Sequence, residues 1–250
     1  MSNSPLVCYS QMSPNCSERN GHAIDTITIH CMAGDLSVES CGALFARPAT
    51  KASSNYGIGS DGRIALYVPE SKRSWATSSG SNDCRAITIE VANNGGAPDW
   101  PVSDRAYNAL IDLLVDICKR NKIDRLRWKA DKNLVGKVSE QNMTVHRWFA
   151  NKACPGNYLY NRHGEIANAV NARLESEDTV TQAEFDKMLE NYMARQAVKE
   201  PAAWSADARA WAEKNEILAG DINGNKMYRS YCTREQMVVF LKRLVDLLNK

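Results

Sequence analysis

The chain has 250 residues, of which 44% are hydrophobic and 24% charged. That is the balance of a folded globular protein and excludes a disordered, collagen-like or disulfide-scaffold chain. A formal charge of +2 calls for neither nucleic acid nor an acidic membrane surface as partner.

Residues 24–31 (I-D-T-I-T-I-H-C) alternate as a strand, with Ile27, Ile29 and Cys31 on one face and Thr26, Thr28 and His30 on the other. A helix is expected over residues 37–45. Residues 55–68 form a hairpin about the turn Ser60-Asp61-Gly62, with Tyr56 on its first strand. A third strand, residues 86–92, turns Ile87, Ile89 and Val91 inward and places Thr88 and Glu90 on the opposite face. Ser103 caps a core helix reaching Arg120, with Ala106, Leu110, Leu113, Leu114 and Ile117 at helical spacing. Residues 143–148 read as a short strand entering a Pro-Gly loop that contains Cys154, and residues 164–174 as the closing helix. This alternation of periods predicts an α/β domain.

Glu175-Ser176-Glu177-Asp178 reads as a polar linker, which divides the chain into residues 1–175 and 176–250. The second part carries only helical signals. Thr181 with Glu184, and Thr233 with Gln236, form capping boxes. Lys199-Glu200-Pro201 breaks one helix, Ser205 opens another that holds Trp211, and residues 221–225 (D-I-N-G-N) make a turn.

No apolar run approaches the roughly 20 residues that span a bilayer, so membrane insertion is not expected. Residues 1–20 have neither the basic nor the continuous apolar stretch of an export signal, which predicts a protein made in the cytoplasm. The eight cysteines contain no C-x-x-C pair, and most are expected to be free thiols; Cys118 reads as a small core hydrophobe. His22, His163 and Cys31 are expected at the surface.

Catalytic zinc takes three protein ligands and leaves a fourth position to water. Of the four histidines, His30 and His146 fall on the polar side or at the end of predicted strands, and Cys154 follows His146 by eight residues. Together these three would make an open His₂Cys site.

Four separated segments bear on function: I-T-I-H-C-M-A-G at 27–34, S-N-Y-G-I-G-S-D-G-R-I at 54–64, I-T-I-E-V-A-N at 87–93 and H-R-W-F-A-N-K-A-C-P-G at 146–156. In this order and spacing the chain resembles the zinc-dependent N-acetylmuramoyl-L-alanine amidases of type 2, over roughly residues 20 to 175. The resemblance implies the fold shared with peptidoglycan recognition proteins, a mixed central sheet flanked by helices. It implies bacterial peptidoglycan as substrate and Zn²⁺ as cofactor, held by His30, His146 and Cys154. It further implies Glu90 as general base, with Lys152 and Tyr56 stabilising the negative charge of the reaction. Glu and Tyr often alternate in the family, and this chain has both. The chemistry requires the same set: an activated water, a carboxylate to move its proton, and a cation or hydroxyl to meet the developing oxyanion.

Non-catalytic recognition proteins of this fold commonly lose the third ligand, so Cys154 favours the enzyme over a binding module. The second part, W-S-A-D-A-R-A-W-A-E-K-N-E-I-L-A-G-D-I-N-G-N followed by T-R-E-Q-M-V-V-F-L-K-R-L, resembles a single S-layer homology type motif. It implies a small wall-binding or dimerising helical module. An amidase so built looks like a phage endolysin, with a bacterial autolysin or wall-recycling amidase as the alternative.

Overall fold

A computed structural model describes residues 2–178, 181–221 and 223–249. They fall into two compact units, Met1–Asp178 and Thr179–Lys250. The elements of the first unit run β1 (Tyr9–Ser10), β2 (Cys16–Glu18), β3 (Thr26–Cys31), α1 (Val38–Phe45), β4 (Tyr56–Ile58), β5 (Ile64–Leu66), β6 (Lys72–Ser74), α2 (Gly80–Arg85), β7 (Ala86–Val91), α3 (Asp104–Asn121), β8 (Met143–Thr144) and α4 (Gly156–Asp178).

Six strands form one mixed sheet in the order β1-β5-β4-β7-β3-β8. Only the β4–β5 hairpin is antiparallel; β3 runs parallel to both β7 and β8. A second, two-stranded sheet pairs β2 with β6. Strand alternation sorts the side chains into two layers. Ile27, Ile29, Ile58, Ile87, Ile89 and Val91 pack with Leu110, Leu114 and Ile117 of α3 and with Leu159, Ile166 and Val170 of α4. On the other face Ala65 and Tyr67 meet Val38, Cys41 and Phe45 of α1. Helices thus cover both faces, as expected for an α/β chain.

The cap read at Ser103 is present, its side chain accepting from the Ala106 amide, and the helix expected over residues 37–45 is opened in the same way by Ser37, which accepts from the Ser40 amide. Cys118 is fully buried, and all eight cysteines are free.

The polar face of β3 and β7 is buried, because α2 lies against it. There Asn82 donates to Thr28 Oγ1 at 3.1 Å and accepts from Thr144 at 3.0 Å, while the two threonine hydroxyls lie 2.7 Å apart. Such a buried layer is tolerable because its polar atoms find one another. Two local expectations need correction. The strand expected over residues 143–148 ends at Thr144, and His146–Trp148 is a 3₁₀ turn. The second is α4, which begins at Gly156 rather than residue 164 and continues through the segment read as a linker. Its first amides donate to the carbonyls of Pro98 and Asp99, a tertiary cap that no local motif encodes.

The second unit holds α5 (Gln182–Ala197), α6 (Ala206–Lys214) and α7 (Arg234–Leu248). Both capping boxes are formed. Ile222, within the predicted turn, lies outside the described residues. Among the described residues of this unit only Ile217 is buried. Phe185, Met188, Leu189, Trp211, Leu241 and Val245 are all about half exposed or more.

Candidate active site

Parallel register assembles the site. His30 is paired with Glu90 across β3 and β7, and both project on the polar face. Thr28 is paired with Thr144. His146, two residues beyond Thr144, therefore emerges beside His30, which is two residues beyond Thr28, and the two rings stand 5.1 Å apart. The turn carrying His146 is braced from behind, where Trp148 stacks on Trp128 with centroids 5.0 Å apart and 6° between planes.

Cys154 closes the set from the loop ahead of α4. Its Sγ lies 3.3 Å from His30 Nδ1 and accepts the Cys31 backbone N–H at 3.5 Å. The loop is fixed by the Arg147 amide, which donates to the Cys154 carbonyl. Gly156 has φ +80°, and a Cβ there would stand 2.6 Å from the Asp99 carbonyl oxygen, so the chain can leave Cys154 in this direction only through glycine.

The ligand atoms of His30, His146 and Cys154 lie within 4.8 Å of one another. Nε2 of both histidines and Oε2 of Glu90 are buried without a hydrogen-bond partner. Burial, with help from His146, holds His30 down to about 3, so its ring is neutral and offers a lone pair. Cys154 is held well above the ordinary thiol range by the Cys31 thiol, by burial and by the Glu90 carboxylate. Two neutral imidazoles, a thiol in need of a cation to ionise and orphaned buried nitrogens are a donor set that fits zinc.

Glu90 Oε1 is 3.8 Å from His30 Nδ1, and burial raises its carboxyl well above the usual range. Lys152 is exposed on the Cys154 loop, and its charge adds to burial in lowering His146. Glu90 thus lies beside the cluster, and Lys152 on the loop that carries its third member.

Tyr56 does not lie beside the cluster. It is paired with Ile89, whereas its neighbour Gly57 is paired with Glu90, so the Tyr56 ring enters the α3 face of the sheet. Its hydroxyl donates to Glu70 Oε1 at 2.6 Å and accepts the Ser4 amide at 2.9 Å. The carboxylate of Glu70 is in turn bound by Arg120 at 2.7 Å. Tyr56 is a core residue. On the Glu90 side the ring is that of Tyr67, which covers Gly57 so closely that a Cβ there would stand 2.4 Å from it. Tyr56→Phe should lower stability by about 1–3 kcal/mol, the cost of leaving a buried partner unmatched. Turnover should change by less than about threefold. Denaturant unfolding together with a rate assay checks this, and a larger loss of rate at unchanged stability would return Tyr56 to the chemistry.

Two more residues expected at the surface are buried. Cys31, at 7% exposure, donates its backbone N–H to Cys154 Sγ. His163 is wholly enclosed, its Nδ1 2.6 Å from the Leu159 carbonyl oxygen and its ring against Trp128. Both follow from packing of α4 and its loop onto the sheet. His22 is exposed, as expected.

A mixed sheet of this order, covered by helices on both faces and bearing a His, His, Cys cluster beside a strand glutamate, defines an α/β fold with a candidate metal site. A family model described as N-acetylmuramoyl-L-alanine amidase matches residues 20–157, more than half of the chain, and the chain belongs to that family of type 2 amidases. No curated protein matches it in sequence. Among solved structures, the hydrolase AmiA of Staphylococcus aureus, in complex with its ligand, is similar at 16% identity and TM-score 0.51, covering 68% of this chain and 90% of that one. A selenomethionine derivative of AmpD is 20% identical at TM-score 0.48, covering 67% of this chain and 99% of that one. At such identities the AmiA likeness speaks for the fold alone.

Proposed function

We propose that the first unit is a zinc-dependent peptidoglycan amidase that hydrolyses the bond between the lactyl group of N-acetylmuramic acid and L-alanine. The observation that carries this reading is the His30, His146 and Cys154 cluster, with donors within 4.8 Å, lying beside Glu90 in a chain of this family. His30, His146 and Cys154 would hold the metal, which when bound lowers the pKa of water from about 15.7 to about 7 and polarises a carbonyl. Glu90 accepts the proton of the attacking water and delivers it to the departing alanine nitrogen. Lys152 offers a positive charge to the oxygen on which negative charge develops. The products are a muramyl carboxylate and a free L-alanine amino group.

The second unit is proposed as the part that holds the enzyme to an insoluble substrate, by binding the wall or by self-association, as in a phage endolysin. In support, it contains a cleft of about 540 Å³ lined by Tyr228, Tyr231, Phe240, Lys226, Glu235 and Arg243. It also leaves wide apolar stripes uncovered on α5 and α7. Among the described residues no helix is long and apolar enough to cross a membrane.

Incubation with purified walls should release new N-terminal alanine without new reducing sugar. A chelator should abolish that release and added zinc restore it. Activity indifferent to chelation would overturn the metal assignment, and new reducing ends without alanine amines would overturn the bond assignment. A chain ending at residue 178 should cut soluble muramyl peptides as well as the full chain does, yet lyse intact cells poorly, since only an insoluble substrate benefits from tethering. Equal lysis by both would remove the tethering role. Light scattering and wall pull-down with the full chain tell self-association from wall binding.

A further inference from the structure

We infer that Asn93 is a positioning residue for the zinc centre: through the loop that follows β7 it sets where Cys154 stands. The inference rests on the metal reading above and extends it to a residue three positions beyond Glu90.

Asn93 is 1% exposed. Its backbone N–H donates to the Gly34 carbonyl at 2.9 Å, tying the end of β7 to the segment that follows β3. Its side-chain Nδ2 donates to the Trp100 carbonyl at 2.8 Å. Two further bonds shape the loop between them: Asn94 N–H to Pro101 O and Trp100 N–H to Gly96 O, both 2.9 Å. The loop is held shut across its mouth, and the side chain of Asn93 is the latch.

That loop is the surface on which the third ligand is mounted. The carbonyls of Pro98 and Asp99 accept the amides of Asn157 and Tyr158 at 3.2 and 2.9 Å, capping α4 directly after Cys154-Pro155-Gly156. Gly156 sits so close to Asp99 and Trp100 that a Cβ would lie 2.6 Å from one and 2.7 Å from the other. An exposed contact between Asn157 Nδ2 and Asp99 Oδ1, 3.4 Å, joins the same two segments. Two of the three donors, His30 and His146, are registered by the sheet. Cys154 lies on no strand: beside the Cys31 and Arg147 amides that bond its sulfur and its carbonyl, this loop is the third support that sets its place.

The side chain is held for its donor alone. Asn93 Oδ1 is buried and has no hydrogen-bond partner. Burying an unmatched acceptor is unfavourable, and the opposite amide orientation would set oxygen against the Trp100 carbonyl. The amide is thus held in one orientation for its donor, at the end of the strand that carries Glu90. Outer partners that bond a metal ligand directly typically change metal affinity about 10- to 100-fold; Asn93 acts one step further out, through the loop, so the low end of that range is the expectation.

The test is zinc affinity of the full chain by chelator competition, together with the absorption of the cobalt(II)-loaded protein, whose thiolate-to-metal band reports Cys154. Asn93→Ala should weaken zinc binding by up to about 10-fold and shift or diminish the thiolate band. Asn93→Asp, which keeps the size and removes the donor, should do the same. Asn157→Ala, on the exposed side of the relay, should weaken binding less and gives a second reading if the Asn93 variants fail to fold. Unchanged zinc affinity and an unchanged cobalt band in folded Asn93 variants, with only a lower melting temperature, would reduce Asn93 to a structural latch. If the Asn93 variants do not fold, unchanged affinity and band in Asn157→Ala would overturn the relay. Failure of the wild-type chain to bind zinc would instead overturn the metal reading on which the proposal rests.

Discussion

Cys154→Ser should lose zinc and lysis together while keeping its fold. A thiolate is a strong ligand for zinc and a neutral serine hydroxyl a poor one. The substitution removes the sulfur that lies 3.3 Å from His30 Nδ1 and accepts the Cys31 amide, and leaves two histidines to hold the metal. The loss of affinity should exceed the 10- to 100-fold typical of an outer partner. The loop itself has reason to survive, since it is fastened by main-chain bonds, Arg147 N–H to Cys154 O at 3.1 Å and the Pro98 and Asp99 cap of α4. Elemental analysis beside circular dichroism reads both quantities. Undiminished zinc in a folded variant would take Cys154 out of the site.

Glu90→Gln separates proton transfer from metal binding. The amide is nearly isosteric with the carboxylate but cannot accept a proton, so zinc content and wall binding should persist while turnover falls by about 10²- to 10⁴-fold. Position favours this role. Glu90 Oε1 is 3.8 Å from His30 Nδ1, and Oε2 is buried with no partner of its own, free to meet a water or an amine. Rates on a soluble muramyl peptide, measured at equal zinc loading, decide the matter. A variant within about threefold of the wild type would leave Glu90 a supporting role beside His30.

The His30, His146 and Cys154 cluster could be picked out in the sequence because its parts sit at or near strand ends whose alternation is local and fall within motifs that resemble those of the amidase family. His30 shares a face with Thr26 and Thr28, Glu90 shares one with Thr88, and the spacing from His146 to Cys154 is short. The helix starts at Ser37, Ser103, Thr181 and Thr233 were legible for the same reason, each being set by a side chain that reaches an amide three residues on. What could not be read was everything fixed by pairing between distant segments. Alternation says that Tyr56 and Gly57 point to opposite faces, but only the pairing of Gly57 with Glu90 says which face is the site. Nor does any local pattern announce that α2 covers the polar side of β3 or that the 98–99 carbonyls start α4 at Gly156. The same packing encloses Cys31 and His163. By itself, then, the sequence determined which residue types are offered and on which side of each strand. The tertiary structure alone decided which of those sides meet, because register and layer packing are long-range contacts that one segment's own periodicity does not encode.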